Sequence, residues 1–286
     1  MKTGLVLEGG GMRGIYTAGV LDALTDAQVF PNYVIGVSAG ATNSASYVSG
    51  QRGRSRRVNL DYLDDKRYMG LNNLIRHRSM FNMDFIFDEI ANHLDPFDYD
   101  AFFASPMEFV TGVTDVHTGR PVYFDKSHLN RDMTVLRASA AIPMFSPIVS
   151  YQGGAYLDGG TSAPIPFEQA FADGCERAIV VLTRHRGYVK PPEPLHRVYA
   201  RLMRRYPAMI RALDERHIEY AREREKLFAL EKEGRVIVVA PQIPLALSRF
   251  EKNRGKLEAA YEQGLRECGE MIADHRDSLR AWGMLK

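Results

Sequence analysis

Short apolar runs alternate with longer segments of helical spacing in the amino-terminal part of the chain. Residues 4–8 and 33–37 are apolar runs of strand length, and each precedes a segment, 15–27 or 39–49, in which apolar or small residues recur at helical intervals. A strand, helix, strand, helix order requires right-handed crossover connections. The pattern therefore predicts that the first two strands belong to a parallel sheet.

The rest of the chain continues this mixture of strands and helices. Alternating apolar and polar residues predict two strand pairs, the first around DVHTGR and the second around QGG. The predicted strands are 107–114, 121–124, 148–151, 155–158, 178–183 and 236–240, and the predicted helices are 84–93, 167–172, 195–233 and 253–282. Pro207 restarts the long helical segment, because proline fits the first turn of a helix. We predict an α/β domain over 1–190 and a mostly helical region over 191–286, with one strand, packed on the same domain.

Composition and charge narrow the class of protein without identifying it. The 286 residues are 45% hydrophobic and 25% charged, and the net charge of +2 is too balanced to indicate nucleic-acid binding. The two cysteines, Cys175 and Cys268, lie far apart in the sequence and outside any metal-ligand spacing, so we expect a reducing compartment, no disulfide scaffold and no bound metal. No apolar run approaches the ~18 residues of a membrane span, and the start lacks a secretory pattern. A cytoplasmic protein is expected, with peripheral attachment to a membrane left open.

The glycine-rich segment after the first strand has two interpretations. Gly9, Gly11 and Gly14 satisfy G-x-G-x-x-G between a strand and a helix, which is the context of a dinucleotide-binding loop. That fingerprint also requires an acidic residue at the end of the second strand, about 20 residues further on. Ser38 stands there instead, so a nucleotide cofactor is not predicted. The other interpretation is that the glycine amides bind an oxyanion.

Ser38 is the centre of the sequence GVSAG, which is a G-x-S-x-G motif at a predicted strand-to-helix turn. In this context the motif forms a nucleophile elbow, where the serine occupies a sharp turn and glycines on both sides avoid clashes. The small residues that follow allow the next helix to lie close to the sheet. Because the first two strands are parallel, both loops lie at one sheet edge. The amides of residues 9–11 are thereby predicted to form an oxyanion hole in front of Ser38.

The residue that would accept the serine proton is less clear from the residues alone. His185 follows a predicted strand, and the order Ser38, Asp158, His185 matches that of α/β-hydrolase triads. The flanking Arg184 and Arg186 argue against it, because they disfavour an imidazolium ion. Asp158 is the other candidate, since it ends a short strand and two glycines leave its carboxylate uncrowded. A different class of function, a nucleotide- or lipid-binding module without catalysis, is the remaining alternative.

Four motifs together resemble the patatin-like phospholipases, in particular the bacterial branch of that family. They are GGGMRG at 9–14, GVSAG at 36–40, RASAAIPMFSP at 137–147 and DGG at 158–160, and they occur in the family's order. The resemblance spans at least residues 4–185. It implies an α/β class fold with three α/β/α layers and a mainly parallel central sheet, which this chain extends by a C-terminal helical appendage. It also implies hydrolysis of fatty-acyl esters by a serine–aspartate dyad without histidine.

Carried over by motif, the resemblance implies a role for each matching position. Ser38 is the nucleophile that forms an acyl-enzyme, and Asp158 is the general base. Gly9, Gly10 and Gly11 form the oxyanion loop, and Arg13 occupies the basic position that supports it. The other motif glycines are Gly14, Gly36, Gly40, Gly159 and Gly160.

Two further segments bear on the lipid substrate that this resemblance implies. Residues 197–213 contain five arginines and no acid, and six apolar residues of the segment share a predicted helical face: Val198, Leu202, Tyr206, Met209, Ile210 and Leu213. Such a helix either contacts an anionic membrane transiently or packs on the sheet with its arginines in solvent. Apolar residues of 80–103 either line an acyl pocket or belong to the core, namely Met80, Phe81, Phe85, Ile86, Phe87, Phe97, Phe102 and Phe103. No nucleic-acid partner and no particular oligomeric state are predicted.

Overall fold

Eight strands form one mixed sheet in the middle of the computed structural model, which describes residues 1–285. The strands are β1 (Thr3–Leu7), β2 (Tyr33–Val37), β3 (Glu108–Asp115), β4 (Pro121–Asp125), β5 (Val149–Tyr151), β6 (Gly154–Asp158), β7 (Arg177–Val181) and β8 (Val236–Val239). Neighbours are parallel along β3, β2, β1, β7 and β8. Antiparallel pairing adds β4 and β6 to β3, and β5 to β6. The mainly parallel sheet expected from the sequence is confirmed.

Helices cover both faces of this sheet and complete three layers. They are α1 (Gly14–Asp26), α2 (Ala39–Val48), α3 (Arg54–Leu60), α4 (Leu71–His77), α5 (Tyr99–Ala104), α6 (Thr134–Ser139), α7 (Phe167–Ala172), α8 (His196–Leu202), α9 (Pro207–Lys232), α10 (Arg254–Asp274) and α11 (Arg276–Ala281). Successive side chains of a strand point to opposite faces. Leu5 and Leu7 accordingly pack in the cluster formed with α1 and α2, whereas Val6 packs in the cluster formed with α7 and α9.

The structure corrects the predicted helical segments in three places. Residues 84–93 form a wide helix of π type, Phe85–Leu94, instead of an α-helix. The segment 195–233 divides into α8 and α9, and Pro207 begins α9 as predicted, because proline removes a donor and disfavours a helical residue before it. The closing segment also divides, at His275 between α10 and α11. Of the helices within residues 1–285, none is long and apolar enough to cross a membrane.

The helical face predicted for 197–213 is wrong because of the same break. Val198 and Leu202 on α8 are 45% and 64% exposed, whereas Met209 and Leu213 on α9 are buried. The region 191–286 also supplies β8, which pairs with β7 in the central sheet. The boundary placed at residue 190 stays a prediction.

α1 and α10 approach each other so closely that glycine is required on both helices. A Cβ on Gly19 would lie 2.1 Å from the carbonyl oxygen of Tyr261, and a Cβ on Gly264 would lie 2.2 Å from that of Tyr16. The hydroxyl groups of the same two tyrosines form hydrogen bonds between the helices. Tyr16 donates to Glu267 at 2.8 Å, and Tyr261 donates to Asp22 at 2.7 Å. The helix that follows the glycine-rich loop is thus fixed by a helix from the other half of the chain.

Replacing Gly264 by Ala should destabilise the fold by about 1–3 kcal/mol, because the new methyl group overpacks a backbone contact. Gly269 is the matched control on the same helix, since it is exposed and a Cβ there meets no atom within 4 Å of the described structure. Gly269→Ala should stabilise the protein by about 0.8–1 kcal/mol through helix propensity. Urea unfolding of both variants checks this contrast. Equal changes in the free energy of unfolding would contradict the close contact.

Candidate active site

The serine of GVSAG lies where the first two strands end side by side. Leu7 of β1 pairs with Gly36 of β2, so the segments that follow these strands begin at the same edge of the sheet. Ser38 connects β2 to α2 with φ 55° and ψ −127°, a backbone conformation that L residues rarely adopt. Its side chain is only 6% exposed. A strained residue of this kind persists only when the surrounding structure holds it.

The motif glycines allow the close backbone approaches that make this turn. A Cβ on Gly36 would lie 2.6 Å from the carbonyl carbon of Gly40, and a Cβ on Gly40 would lie 2.5 Å from the carbonyl oxygen of Leu7. A Cβ on Gly14 would lie 2.6 Å from the Cβ of Ala39. The first turns of α1 and α2 therefore meet directly beside Ser38.

Ser38 and Asp158 are hydrogen-bonded to each other although they are far apart in the sequence. The Oγ of Ser38 donates to Oδ2 of Asp158 at 2.6 Å, and Oδ1 accepts from the backbone amide of Gly160 at 2.8 Å. Asp158 ends β6, and the hydroxyl of Thr114 donates to its carbonyl oxygen at 2.9 Å. Gly159 follows with its Cα against β3, since a Cβ there would lie 2.2 Å from the carbonyl oxygen of Gly112. Both carboxylate oxygens are thus held in place.

Opposing influences act on the pKa of Asp158. Burial raises it, while the hydrogen bond from Ser38, the positive charge of Arg216, the Gly160 amide and the charge of Arg249 lower it. The net shift is upward. A higher pKa makes the ionised carboxylate a stronger proton acceptor.

Ser139 belongs to this constellation, and the sequence analysis did not identify it individually. The backbone amide of Ser38 donates to Ser139 Oγ at 2.8 Å, and that hydroxyl donates to the carbonyl oxygen of Gly112 at 2.7 Å. The Ser38 amide is therefore occupied and is not a free donor. The only sequence signal for Ser139 is its position in the RASAAIPMFSP motif.

The glycine loop lies against Ser38 with its amides unoccupied. Among residues 1–285, no backbone or side-chain group accepts a hydrogen bond from the amides of Gly9, Gly10 or Gly11. A Cβ on Gly9 would lie 3.1 Å from the Cβ of Ser38. Gly11 has a φ of +56°, which favours glycine. A Cβ at this position would also lie only 2.7 Å from the carbonyl oxygen of Arg249. The loop thus has three amides without an acceptor, and its first glycine lies against the serine.

Glu8 anchors the start of this loop. Its buried carboxylate accepts hydrogen bonds from the backbone amide and the hydroxyl of Thr183 and from the hydroxyl of Tyr220. On the other side of the glycines, the amide of Met12 donates to the carbonyl oxygen of Arg249 at 3.1 Å. Both ends of the glycine segment are therefore attached to residues from later in the chain.

A polar cavity opens on one side of Ser38. It has a volume of about 210 Å³ and is lined by the glycine loop, Asp158 and eight further charged or aromatic residues: Glu8, Arg13, Arg184, Tyr188, Lys190, Glu193, Tyr220 and Arg249. Arg216 also lines it, and its Nε donates to the carbonyl oxygen of Gly160 at 2.7 Å. The sequence analysis named two cations of this set, Arg184 as a neighbour of His185 and Arg13 as a site residue. Burial, aided by the charge of Arg184, lowers its pKa to about 10.

An apolar cavity opens on the other side of Ser38. Four of the residues considered for an acyl pocket line it, namely Phe81, Ile86, Phe87 and Phe97, together with apolar residues such as Met83 and Leu136. Phe85 and Phe102 belong to the core instead, and Phe103 is 47% exposed. Gly11, Ser38 and Ile142 line both cavities. The serine therefore stands between an apolar and a cationic compartment.

His185 is not brought together with the serine. The side chain of His185 has no hydrogen bond to Ser38 or Asp158 in the described structure, and its ring packs edge-on against Tyr188. No group of three or more His, Cys, Asp or Glu side chains within residues 1–285 is placed to hold a metal ion.

Comparison with known proteins places this geometry in a family. The model of the patatin-like phospholipase family matches residues 5–171, which is more than half of the chain. The chain belongs to the patatin-like phospholipase family. A second family model, described as Domain of unknown function (DUF6363), matches residues 206–280. Family membership supports a lipid hydrolase.

Two curated relatives and one solved structure are similar to the chain. The uncharacterized protein YjjU of Escherichia coli is 34% identical over 187 residues, which cover 64% of this chain and 52% of YjjU. Lysophospholipase nte1 of Aspergillus terreus is 30% identical over 170 residues, covering 56% of this chain and 10% of that protein. The chain thus matches about half of the first relative and a tenth of the second. The crystal structure of VipD from Legionella pneumophila superimposes with a TM-score of 0.52 at 13% identity, over 96% of this chain and 67% of VipD, and confirms the fold.

Replacing Asp158 by Asn should raise the stability of the fold at neutral pH. Burial raises the pKa of the folded carboxyl group above its unfolded value, so the folded state binds the proton more tightly. Ionisation therefore costs folding free energy as the pH rises between these two values, about 1.4 kcal/mol for each unit of difference. Asparagine keeps an acceptor for Gly160 and cannot ionise. The free energy of unfolding of D158N should therefore exceed that of wild type increasingly as the pH rises.

Urea unfolding of wild type and D158N between about pH 4 and pH 8 measures this difference. The exposed Asp61 provides the matched control, because Asp61→Asn removes a carboxylate that is already hydrated. If the free energy of unfolding of D158N relative to wild type stays constant or falls with rising pH, the raised pKa of Asp158 is contradicted.

Proposed function

We propose that the protein hydrolyses fatty-acyl esters of lipids through an acyl-enzyme on Ser38. The observation that supports this most directly is the 2.6 Å hydrogen bond from Ser38 Oγ to Asp158 Oδ2. A serine hydroxyl becomes a good nucleophile when a base accepts its proton. The buried carboxylate is in contact with that proton before any reaction begins.

In the first half of the reaction, Ser38 Oγ attacks the ester carbonyl carbon while its proton passes to Asp158 Oδ2. The carbonyl oxygen becomes an oxyanion, and the unoccupied amides of Gly9, Gly10 and Gly11 are the donors proposed to bind it. One such donor is worth about 3–4 kcal/mol of barrier stabilisation. The carbon–oxygen bond to the alcohol then breaks, and Asp158 returns the proton to the departing alkoxide.

In the second half, water takes the place of the alcohol. Asp158 accepts a proton from the water as its oxygen attacks the acyl-enzyme carbonyl, and the same amides bind the second oxyanion. Collapse of this intermediate releases the fatty acid and returns the proton to Ser38. The Gly160 amide and the cations Arg216 and Arg249 favour the ionised form of Asp158, in which it begins each half as the proton acceptor. The apolar cavity supports a fatty-acyl group, because aliphatic and aromatic side chains make up most of its exposed wall.

The direct serine–aspartate contact favours a dyad over the triad with His185. A triad requires the imidazole between the two side chains, and that position is closed by the hydrogen bond itself. A nucleotide-binding loop is also disfavoured, since a Cβ on Gly9 would already lie 3.1 Å from the Ser38 side chain. Lysophospholipase action, the activity after which nte1 is named, is one form that this hydrolysis takes in our proposal.

Ser38→Ala should abolish labelling by a fluorophosphonate probe and lower kcat/KM for p-nitrophenyl octanoate by about a thousandfold or more. Asp158→Asn should lower ester turnover to a similar degree, because the serine loses its proton acceptor. Gel fluorescence and absorbance assays measure the two effects. Wild type that is neither labelled nor active, with or without lipid vesicles, would contradict the proposed function.

His185→Ala is the control that separates a dyad from a triad. Because His185 lies outside the hydrogen-bonded pair, the variant should keep kcat/KM within about twofold of wild type and leave the acid limb of the pH–rate profile at the same midpoint. A loss of kcat/KM comparable to that of Ser38→Ala would refute the dyad and support the triad.

We also propose that the enzyme meets its substrate at an anionic membrane surface through α8. Leu195, Val198 and Leu202 are 60%, 45% and 64% exposed and recur at helical spacing. Arg197 and Arg201 stand exposed between them, and no acidic residue lies between positions 194 and 213. An exposed apolar ridge flanked by arginines is typical of an interfacial helix. The helix follows directly after the segment 190–194, which lines the polar cavity.

Leu202→Asp should weaken binding to vesicles that contain phosphatidylglycerol by about tenfold, because it puts a charge into the apolar ridge. Ile218→Asp is the matched control, since Ile218 is similarly exposed, at 60%, on α9 outside this ridge. Vesicle co-sedimentation measures both variants. Wild type that binds phosphatidylcholine and phosphatidylglycerol vesicles equally, or not at all, would refute the anionic surface.

A further inference from the structure

The polar cavity carries more positive charge than its carboxylates balance. Five cations line it, Arg13, Arg184, Lys190, Arg216 and Arg249, against the three carboxylates of Glu8, Asp158 and Glu193. Two of these carboxylates already have other functions, because Asp158 binds Ser38 and Glu8 anchors the glycine loop. The walls of the cavity are therefore suited to an anion.

The ion pairs within the cavity show the same imbalance. Lys190 Nζ, Arg216 Nη1 and Arg249 Nη2 lie 3.0, 2.7 and 4.0 Å from one oxygen atom, Oε1 of Glu193. Three cations thus share a single carboxylate. Burial and the neighbouring charge of Arg216 lower the pKa of Lys190 to about 8.

Two other cations of the cavity have no carboxylate within ion-pair distance, although the charge of Glu8 acts on one of them, Arg13. Within residues 1–285, neither Arg13 nor Arg184 forms an ion pair. Arg13 is 9% exposed, and its Nε has no hydrogen-bond partner in the described structure. A buried guanidinium donor without a partner is costly, and Arg13 is one of the residues that line the cavity. Planar guanidinium groups bind phosphate oxygens with particular strength.

We propose that the polar cavity binds a phosphate group on the alcohol part of the substrate, so that the enzyme prefers acyl esters of phosphate-bearing alcohols with a net negative charge. This inference rests on the proposed function. Ser38 lies between the two cavities, so an ester at the serine has its acyl chain on the apolar side and its alcohol on the cationic side. The leaving alcohol therefore departs into the compartment that holds Arg13, Arg184 and Lys190.

The same charges favour an anionic alcohol over a zwitterionic one. A headgroup that carries an ammonium ion besides its phosphate needs an acidic partner within the cavity. Glu193 is the carboxylate nearest to the cations, and Lys190 and Arg216 already occupy it. An added ammonium group would compete with them and lie among like charges. Acyl-glycerol phosphate has the required chemistry, and acyl-glycerophosphocholine does not.

The test compares three single-chain esters with the same octanoyl group, each kept below its micelle concentration so that no lipid surface is present. They are octanoyl-glycerol phosphate, octanoyl-glycerophosphocholine and octanoyl-glycerol. For wild type, kcat/KM should be higher for the phosphate monoester than for the other two by about tenfold or more. Arg184→Gln should reduce this preference by about tenfold, because Arg184 faces the cavity without a carboxylate of its own.

Arg177→Gln is the matched control for Arg184→Gln. Arg177 begins β7 and pairs in register with Thr3, at the opposite end of the sheet from Ser38. Its removal changes the net charge equally and should leave the preference unchanged. In the same experiment, wild type should hydrolyse octanoyl-glycerol and Ser38→Ala should not. This result tests the proposed hydrolysis separately from the phosphate preference.

Each other outcome overturns a defined part of the inference. Equal kcat/KM for all three esters would refute the phosphate subsite while leaving the hydrolase intact, and no turnover of any ester would refute both. A preference that persists in Arg184→Gln would place recognition outside this cavity. Competitive inhibition by inorganic phosphate without preference for the phosphate ester would show that the cavity binds a free anion and not the leaving group.

Discussion

The structure depends on one backbone contact, in which the first turn of α2 rests against the end of β1. The Cα of Gly40 lies where any side chain would collide with the carbonyl oxygens of Leu7 and Glu8. This contact fixes the glycine loop relative to the strained Ser38. The unoccupied amides and the serine hydroxyl are consequently held together without a ligand, which is the preorganisation that the proposed mechanism requires. The second partner of the serine, Asp158, is brought in by a different part of the sheet.

The sequence was sufficient for the features that depend on local pattern. Strand length, helical spacing and the glycines around Ser38 predicted β1, α1, β2, α2 and the turn between them, because backbone geometry there permits few residue types. The link from Ser38 to Asp158 came from the family's motifs and not from spacing. A contact across 120 residues has no periodicity that reveals it.

What the sequence did not reveal are the residues that reach the site from unrelated elements. Lys190, Arg216 and Arg249 stand in a loop, a long helix and an irregular segment, and each is one arginine or lysine among many. Only tertiary packing distinguishes a cation that faces a cavity from one in solvent. The misjudged face of 197–213 has a similar origin, because helical spacing was continued through the break before Pro207.

The attachment of the glycine loop to late segments has a consequence for synthesis of the protein. The loop is held by the carbonyl oxygen of Arg249, and the helix after it is held by α10. A ribosome has therefore translated the serine, the glycines and the aspartate long before the segments that fix them emerge from the exit tunnel. A nascent chain therefore contains Ser38, the glycine loop and Asp158 before it holds them in place, and their arrangement forms only once α10 has left the tunnel and packed on α1.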